Sequence, residues 1–211
     1  DSQMQTREVL AHKYVKRLFL ARFISNYGNG MGPIALAFGI LGLPNGSANL
    51  LGLVLGTTTV LFLIMAPFGG VIADKYGRAR MVGLTDMAGG LILFVQVAYF
   101  ATGEVPIAVL LIVNGCFGIL WGIFWPAFSG VIPAVLPEAG LQKGNALNSL
   151  VTNSGMILGA ASAGFLIDAF GVSVTLGIDA ASFFISGISI ISISIRNYIC
   201  YFLQRFFIFF F

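Results

Sequence analysis

The chain has 211 residues, of which 58% are hydrophobic and only 9% charged, with a mean hydropathy of +0.96 and a formal net charge of +3. A soluble domain carries about 25% charged residues and keeps much of its surface in water. The composition therefore excludes an ordinary soluble enzyme, a nucleic-acid-binding domain and a disordered chain, and it requires a lipid bilayer as the solvent for most side chains.

Residues 1–17 read as a solvated arm that ends in a basic patch, Lys13, Lys16 and Arg17. Six apolar runs follow, at 18–43, 50–73, 81–101, 105–132, 144–169 and 172–195. Each approaches or exceeds the roughly 20 residues that a helix needs to cross a bilayer core. The breaks between them carry turn residues or charge: Pro44-Asn45-Gly46-Ser47, Asp74-Lys75-Tyr76-Gly77-Arg78, Thr102-Gly103-Glu104, Pro137-Glu138-Ala139-Gly140, and Asp168 to Gly171. The runs are too long for strands and do not alternate apolar with polar, which favours helices over a barrel. The first run is too long for a signal peptide, contains Arg22, Asn26 and Asn29, and has no small-residue cleavage site behind it, so it is expected to be a span. The stretch 197–211 is aromatic and too short to span. It reads as an interfacial segment or as a truncated or aberrant end. The expected domains are the arm at 1–17, a six-helix transmembrane bundle at 18–196 and the tail at 197–211.

Lysine and arginine distribution sets the expected orientation. With the N-terminus inside, the inner segments hold Arg7, Lys13, Lys16, Arg17, Lys75, Arg78, Arg80, Lys143 and Arg196. The outer loops hold no basic residue, only Glu104 and Asp168. The positive-inside rule places the N-terminus and the chain beyond the sixth span on the cytoplasmic side.

An internal repeat has the opposite orientation in its second copy. Gly70-x-x-x-Asp74-x-x-Gly77 leaves the second run, and Gly164-x-x-x-Asp168-x-x-Gly171 leaves the fifth, 94 residues later. Pro33 and Pro126 sit at nearly the same offset. Three spans separate the copies, so one faces the cytoplasm and the other the exterior. This is the pattern of an inverted three-plus-three transporter repeat.

Polar residues at helical spacing mark faces that turn away from lipid. In the first span these are Arg22, Asn26, Asn29 and Pro33; in the fourth, Asn114, Gly118, Trp121, Trp125 and Phe128. Asparagine beside tryptophan suits a cavity for amphipathic molecules, so Asn26, Asn29, Asn114, Trp121 and Trp125 are the candidate substrate-cavity residues. The fifth-span face of Asn148, Thr152, Gly155, Gly159 and Ser162 and the sixth-span face of Thr175, Asp179, Ser182, Ser186 and Ser189 read as helix packing. Charge at membrane depth is costly, which makes Asp86 and Asp179 the proton-coupling candidates. A structural role is the competing expectation, with Asp179 held by nearby Ser182. Arg22 is expected to snorkel to the cytoplasmic surface.

Other chemistry lacks its residues. Cys116 and Cys200 lie in apolar runs, and a single histidine, His12, leaves nothing for a metal site or a Ser-His-Asp site. Gly28-x-Gly30-x-Gly32 lies within a span without the strand and spacing of a dinucleotide loop, and there is no Walker A sequence. No enzyme activity, cofactor or nucleic-acid partner is expected, and uphill transport would have to draw on an ion gradient.

Gly70-x-x-x-Asp74-x-x-Gly77-Arg78-x-Arg80, in a cytoplasmic loop between spans two and three, resembles the signature loop of the major facilitator superfamily. Gly155, Gly159 and Gly164 resemble the antiporter motif of its drug-efflux branches, although Ala160 replaces the usual proline and Ala163 a glycine. The segment 22–33, Trp125-Pro126-Ala127 and the segment 137–147 resemble the bacterial macrolide-efflux and siderophore-export branch. The resemblance covers roughly residues 10–196. It implies an all-α polytopic protein, six transmembrane helices in a 3+3 inverted repeat forming the N-terminal half of a twelve-helix fold. It also implies a central cavity lined by spans one, two, four and five, and a cytoplasmic charge-paired latch made by Asp74 and Arg78.

The fourth span lacks the arginine of many proton-coupled members and has Asn114 at a similar depth. The expected function is export of drugs or other amphipathic small molecules by proton antiport, from the cytoplasmic membrane of a bacterium. The expected partners are the lipid bilayer, the substrate, protons, and a missing C-terminal six-helix half or a second copy of the chain. The alternatives are a non-transporting half-transporter fragment and an importer of a small solute.

Overall fold

A computed structural model describes the backbone of residues 4–210 and the side chains of residues 4–193. Helices account for the regular structure: α1 (Thr6–Ala11), α2 (Val15–Leu41), α3 (Ala48–Tyr76), α4 (Arg78–Thr102), α5 (Ile107–Phe128), α6 (Val131–Val135), α7 (Glu138–Phe170) and α8 (Val172–Phe210). The six long helices correspond to the six expected spans. Arg196 and the side chains of the expected 197–211 tail lie outside the described residues, while the α8 backbone continues helically to Phe210.

Five of the long helices are long and apolar enough to cross a membrane on that criterion alone, and α2 is not among them. Its apolar run is broken by Arg22, Ser25 and Asn26, all buried inside the bundle. The packing of α2 against α7 and α8, rather than its own hydropathy, makes it a membrane helix.

The inverted repeat is present in the packing. Exchanging α2 with α5, α3 with α7, and α4 with α8 maps the principal helix contacts onto themselves. The α3–α5 interface becomes α7–α2, the α2–α8 interface becomes α5–α4, and α4–α8 maps onto itself. Burial follows the same exchange. The most apolar stretches of α3 and α7 are only 11% and 17% buried, whereas those of α4 and α8 are 44% and 50% buried. The two motif glycines are conformationally equivalent as well. Gly77 (φ 94°) and Gly171 (φ 88°) terminate α3 and α7, and each donates its N–H to the carbonyl four residues back at 2.9 Å. Only glycine takes such positive φ values at little cost, and each lets the chain reverse directly into the next helix.

The halves are held together by close backbone approach rather than by bulky side chains. A Cβ at Gly159 of α7 would strike the Tyr27 carbonyl of α2, and one at Gly118 of α5 would strike the Thr58 carbonyl of α3. In lipid there is no hydrophobic gain on pairing two helices, so such contacts and interhelical hydrogen bonds carry the association. Tyr27 Oη and Ser162 Oγ, 2.8 Å apart, add one such bond across the α2–α7 interface.

Two expected boundaries move for identifiable reasons. The run 105–132 divides into α5 and α6. Pro126 lacks an N–H, Ser129 Oγ donates to the Pro126 carbonyl at 2.7 Å, and Gly130 follows the break. The arm is more ordered than a solvated extension. Helix α1 docks on the bundle through fully buried Val9, and the Met4 N–H donates to the Ala139 carbonyl at 3.2 Å.

Candidate functional site

Two places concentrate polar chemistry. The first is the turn between α3 and α4. Asp74 Oδ1 and Arg78 Nη2 form an ion pair of 2.8 Å, one helical turn apart in sequence. Arg78 Nη1 also donates to the Pro126 carbonyl at 2.6 Å and to Ser129 Oγ at 3.2 Å. The signature arginine thus caps the C-terminal end of α5, where carbonyls lack helical partners and the helix dipole favours a cation. Gly70 lies near Pro126, Gly77 makes the reversal, and Arg80 is exposed.

The second is a chamber of about 370 Å³ within the bundle. Its lining comes from α2, α3, α4, α5 and α8, and includes Asn29, Gln96, Asn114, Phe117, Trp121 and Asp179. Helix α7 contributes nothing, and α4 and α8 do contribute. Asn114 Nδ2 donates to Gln96 Oε1 and to the Leu110 carbonyl, each at 2.8 Å, so the amide pair ties α5 to α4. Thr58 Oγ1 donates to the Asn114 carbonyl at 3.1 Å and ties α3 to the same point. Phe117 and Trp121 lie with ring centroids 5.3 Å apart, and Phe183 meets Phe117 edge-on at 5.4 Å.

The sequence-derived residues divide accordingly. Asn29, Asn114 and Trp121 come together at the chamber, with Asp179 beside them. Asn26 is buried against α7, close to Gly155, and donates to the Arg22 carbonyl at 2.7 Å. Trp125 is 40% exposed on α5, against Trp121 and Phe124, and does not line this chamber. Gly155 and Gly159 admit the α2 backbone, whereas Gly164 faces open space. Gln96 and Phe117 were not singled out from the sequence. Gln96 carried a usable signal, as the lone amide in the apolar second half of α4.

The two carboxylates have contrasting surroundings. Asp86 Oδ2 accepts from Ser186 Oγ at 2.9 Å, joining α4 to α8. Asp179 lacks the partner expected for it. Ser182 Oγ donates to the Asp179 backbone carbonyl at 2.6 Å, and Asp179 Oδ1 has no hydrogen bond. Arg22 does not snorkel either. It is 1% exposed, with its guanidinium 4.4 Å from the Phe128 ring centroid and 5.1 Å from that of Phe124. The aromatic faces offset part of the lost hydration, about 2 kcal/mol or more for a desolvated cation over a ring, while Arg22 Nε and Nη1 make no hydrogen bond.

Six long helices in two inverted triplets, with a polar chamber inside and a charged turn at one end, define a membrane transporter fold. The chain belongs to the Major Facilitator Superfamily, whose family model matches residues 18–197. It is 31% identical over 126 residues to the uncharacterized MFS-type transporter YfiS of Bacillus subtilis, covering 60% of this chain and 29% of that protein. It is 26% identical over 189 residues to YkuC of the same organism, another uncharacterized MFS-type transporter, covering 87% and 42%. Similarity to the quinolone resistance protein NorA of Staphylococcus aureus is 34% over 119 residues, covering 56% and 29%. The chain therefore spans less than half the length of these curated relatives.

Proposed function

We propose that this six-helix unit is the N-terminal half of a secondary active transporter that exports amphipathic small molecules of the drug type, in antiport with protons, from a bacterial cytoplasmic membrane. The chamber carries the reading. Paired amides fix its walls and leave aromatic faces open, as a site for amphipathic solutes requires. Similarity to a protein named for quinolone resistance supports export over import. The distribution of basic residues supports a cytoplasmic N-terminus and a cytoplasmic position for the Asp74–Arg78 turn. A second six-helix unit, from a longer chain or a second copy, would complete the cavity.

The geometry supports a mechanism of this kind. Alternating access is a rocking of one six-helix unit against the other around a mid-membrane site. Arg78 fastens the α3–α4 turn to the end of α5, so these helices move together. Coupling requires a group whose proton occupancy differs between the two states, and Asp86, buried at the α4–α8 interface, is suited to it. The test is uptake of a fluorescent amphipathic dye into inverted membrane vesicles that contain the protein assembled with its second unit. Uptake should require an imposed proton gradient and should fall in Asp74→Asn. Equal uptake with the gradient collapsed would rule out antiport.

A further inference from the structure

Among the described residues, the chamber has a single charged lining residue, Asp179. Asp179 is only 6% exposed, and its side chain rests against α2. A Cβ at Gly28 would come within 2.6 Å of Asp179 Oδ1, and one at Gly32 would strike Oδ2. Gly28 and Gly32, one turn apart, therefore form a notch in which the carboxylate sits. This accounts for two glycines of the Gly28-x-Gly30-x-Gly32 pattern that carried no dinucleotide chemistry. Gly30 serves a different contact, the backbone of Met156 on α7.

Among the described residues, no hydrogen bond or ion pair reaches this carboxylate. Oδ1 accepts no hydrogen bond, and Ser182 directs its proton to the backbone. The two chamber asparagines direct their amide donors elsewhere: Asn114 donates to Gln96 and Leu110, and Asn29 donates to Asn26 at 3.3 Å. Among the described residues the salt bridge is Asp74–Arg78, and the Arg22 guanidinium lies over Phe124 and Phe128. A buried carboxylate without a donor or a cation is costly. Phe117 and Trp121 line the same chamber, and an aromatic ring attracts a cation over its face as well as an apolar body.

We propose that Asp179, seated in the Gly28–Gly32 notch, is a cation anchor, and that the chamber takes a monocationic organic ligand whose apolar or aromatic body lies on Phe117 and Trp121. The inference deepens the transporter reading and rests on it. Asp179 sets the sign of the charge accepted, while the rings set the size and shape.

The test reads binding without transport. The chain contains two tryptophans, so Trp125→Phe leaves Trp121 as the sole fluorescent reporter in the chamber wall. The full chain, reconstituted in nanodiscs in this background, is titrated with tetraphenylphosphonium and with tetraphenylborate, which have nearly the same shape and opposite charge. Saturable quenching by the cation, with an affinity about tenfold or more above that for the anion, is expected. Asp179→Asn should remove that preference, and Asp179→Glu, which keeps the charge, should retain it. Equal affinity for the two ions, no quenching by either, or an unchanged preference in Asp179→Asn would overturn the proposal. Proton-driven efflux of neutral compounds by a protein with no charge preference would leave the transporter reading intact and remove this one. Charge-selective binding by a protein that fails to transport would do the opposite.

Discussion

Replacing Arg78 with alanine is expected to weaken the bundle more than replacing its ion-pair partner Asp74 with asparagine. The Asp74 side chain is 66% exposed and that of Arg78 34%, and an ion pair in such a setting contributes about 0–1 kcal/mol. The 2.6 Å bond from Arg78 to the Pro126 carbonyl is different, because it brings a charged donor from α4 onto the last turn of α5, beside the Ser129 hydroxyl that also donates there. A hydrogen bond from a charged donor contributes about 1.5–3 kcal/mol, and a cation at a helix C-terminus about 0.3–1 kcal/mol more. Arg78→Ala should therefore cost about 2–4 kcal/mol and Asp74→Asn at most about 1 kcal/mol. For a chain of this size each kcal/mol corresponds to about 2–4 °C in Tm. Thermal unfolding in detergent, followed by the monodisperse fraction on size exclusion, should show Arg78→Ala lower by about 4–16 °C and Asp74→Asn by less than about 4 °C. Arg78→Lys keeps the charge beside Asp74 but lacks the second donor arm, and should fall between them. Equal losses in Arg78→Ala and Asp74→Asn would refute the reasoning, because the ion pair and not the carbonyl would then tie the turn to α5.

Gly159→Ala should cost about 1–3 kcal/mol by forcing α7 off the Tyr27 backbone, whereas Gly164→Ala, with open space around it, should leave the same thermal assay unchanged. Asn114→Leu and Gln96→Leu should each destabilise by orphaning the partner amide, and the double variant should lose less than the sum, with a coupling of about 0.5–2 kcal/mol. Strict additivity would mean that the 2.8 Å contact contributes nothing. Val9→Asp should undock α1, and limited trypsin digestion should then cleave after Lys13, Lys16 or Arg17 faster than in the parent chain. An unchanged cleavage rate would show that the arm does not depend on its single buried valine.

The helices and their order were legible because lipid imposes a length and composition that few other constraints mimic. The signature turn was legible because its residues are short-range: Gly77 must reverse the chain, and Arg78 lies one turn from Asp74. What escaped the sequence depends on partners far along the chain. Arg22 lies two turns into α2, where snorkelling is the ordinary outcome, and nothing near it announces that Phe124 and Phe128 cover it from α5. Asp179 looked satisfied because Ser182 is one turn away, but a serine in a helix also bonds readily to its own backbone, as it does here. Gln96 gained meaning only when α4 met Asn114 of α5. Asn26 and Asn29 share a helical face by spacing, yet α7 claims the first and the chamber the second. Helical periodicity identifies a polar face, and the neighbouring helix decides which part of it stays open.

The inverted repeat supports the whole account, and paired labelling tests it most directly. Lys75 and Ala169 occupy nearly equivalent places in the two copies, each exposed at the end of its helix, α3 or α7. In a Cys116→Ser, Cys200→Ser background, Lys75→Cys and Ala169→Cys are treated with a membrane-impermeant maleimide in intact cells and in inverted vesicles. The account predicts labelling of position 169 in cells alone and of position 75 in inverted vesicles alone. Labelling of both positions from the same side would contradict the inverted architecture and the transport mechanism built on it.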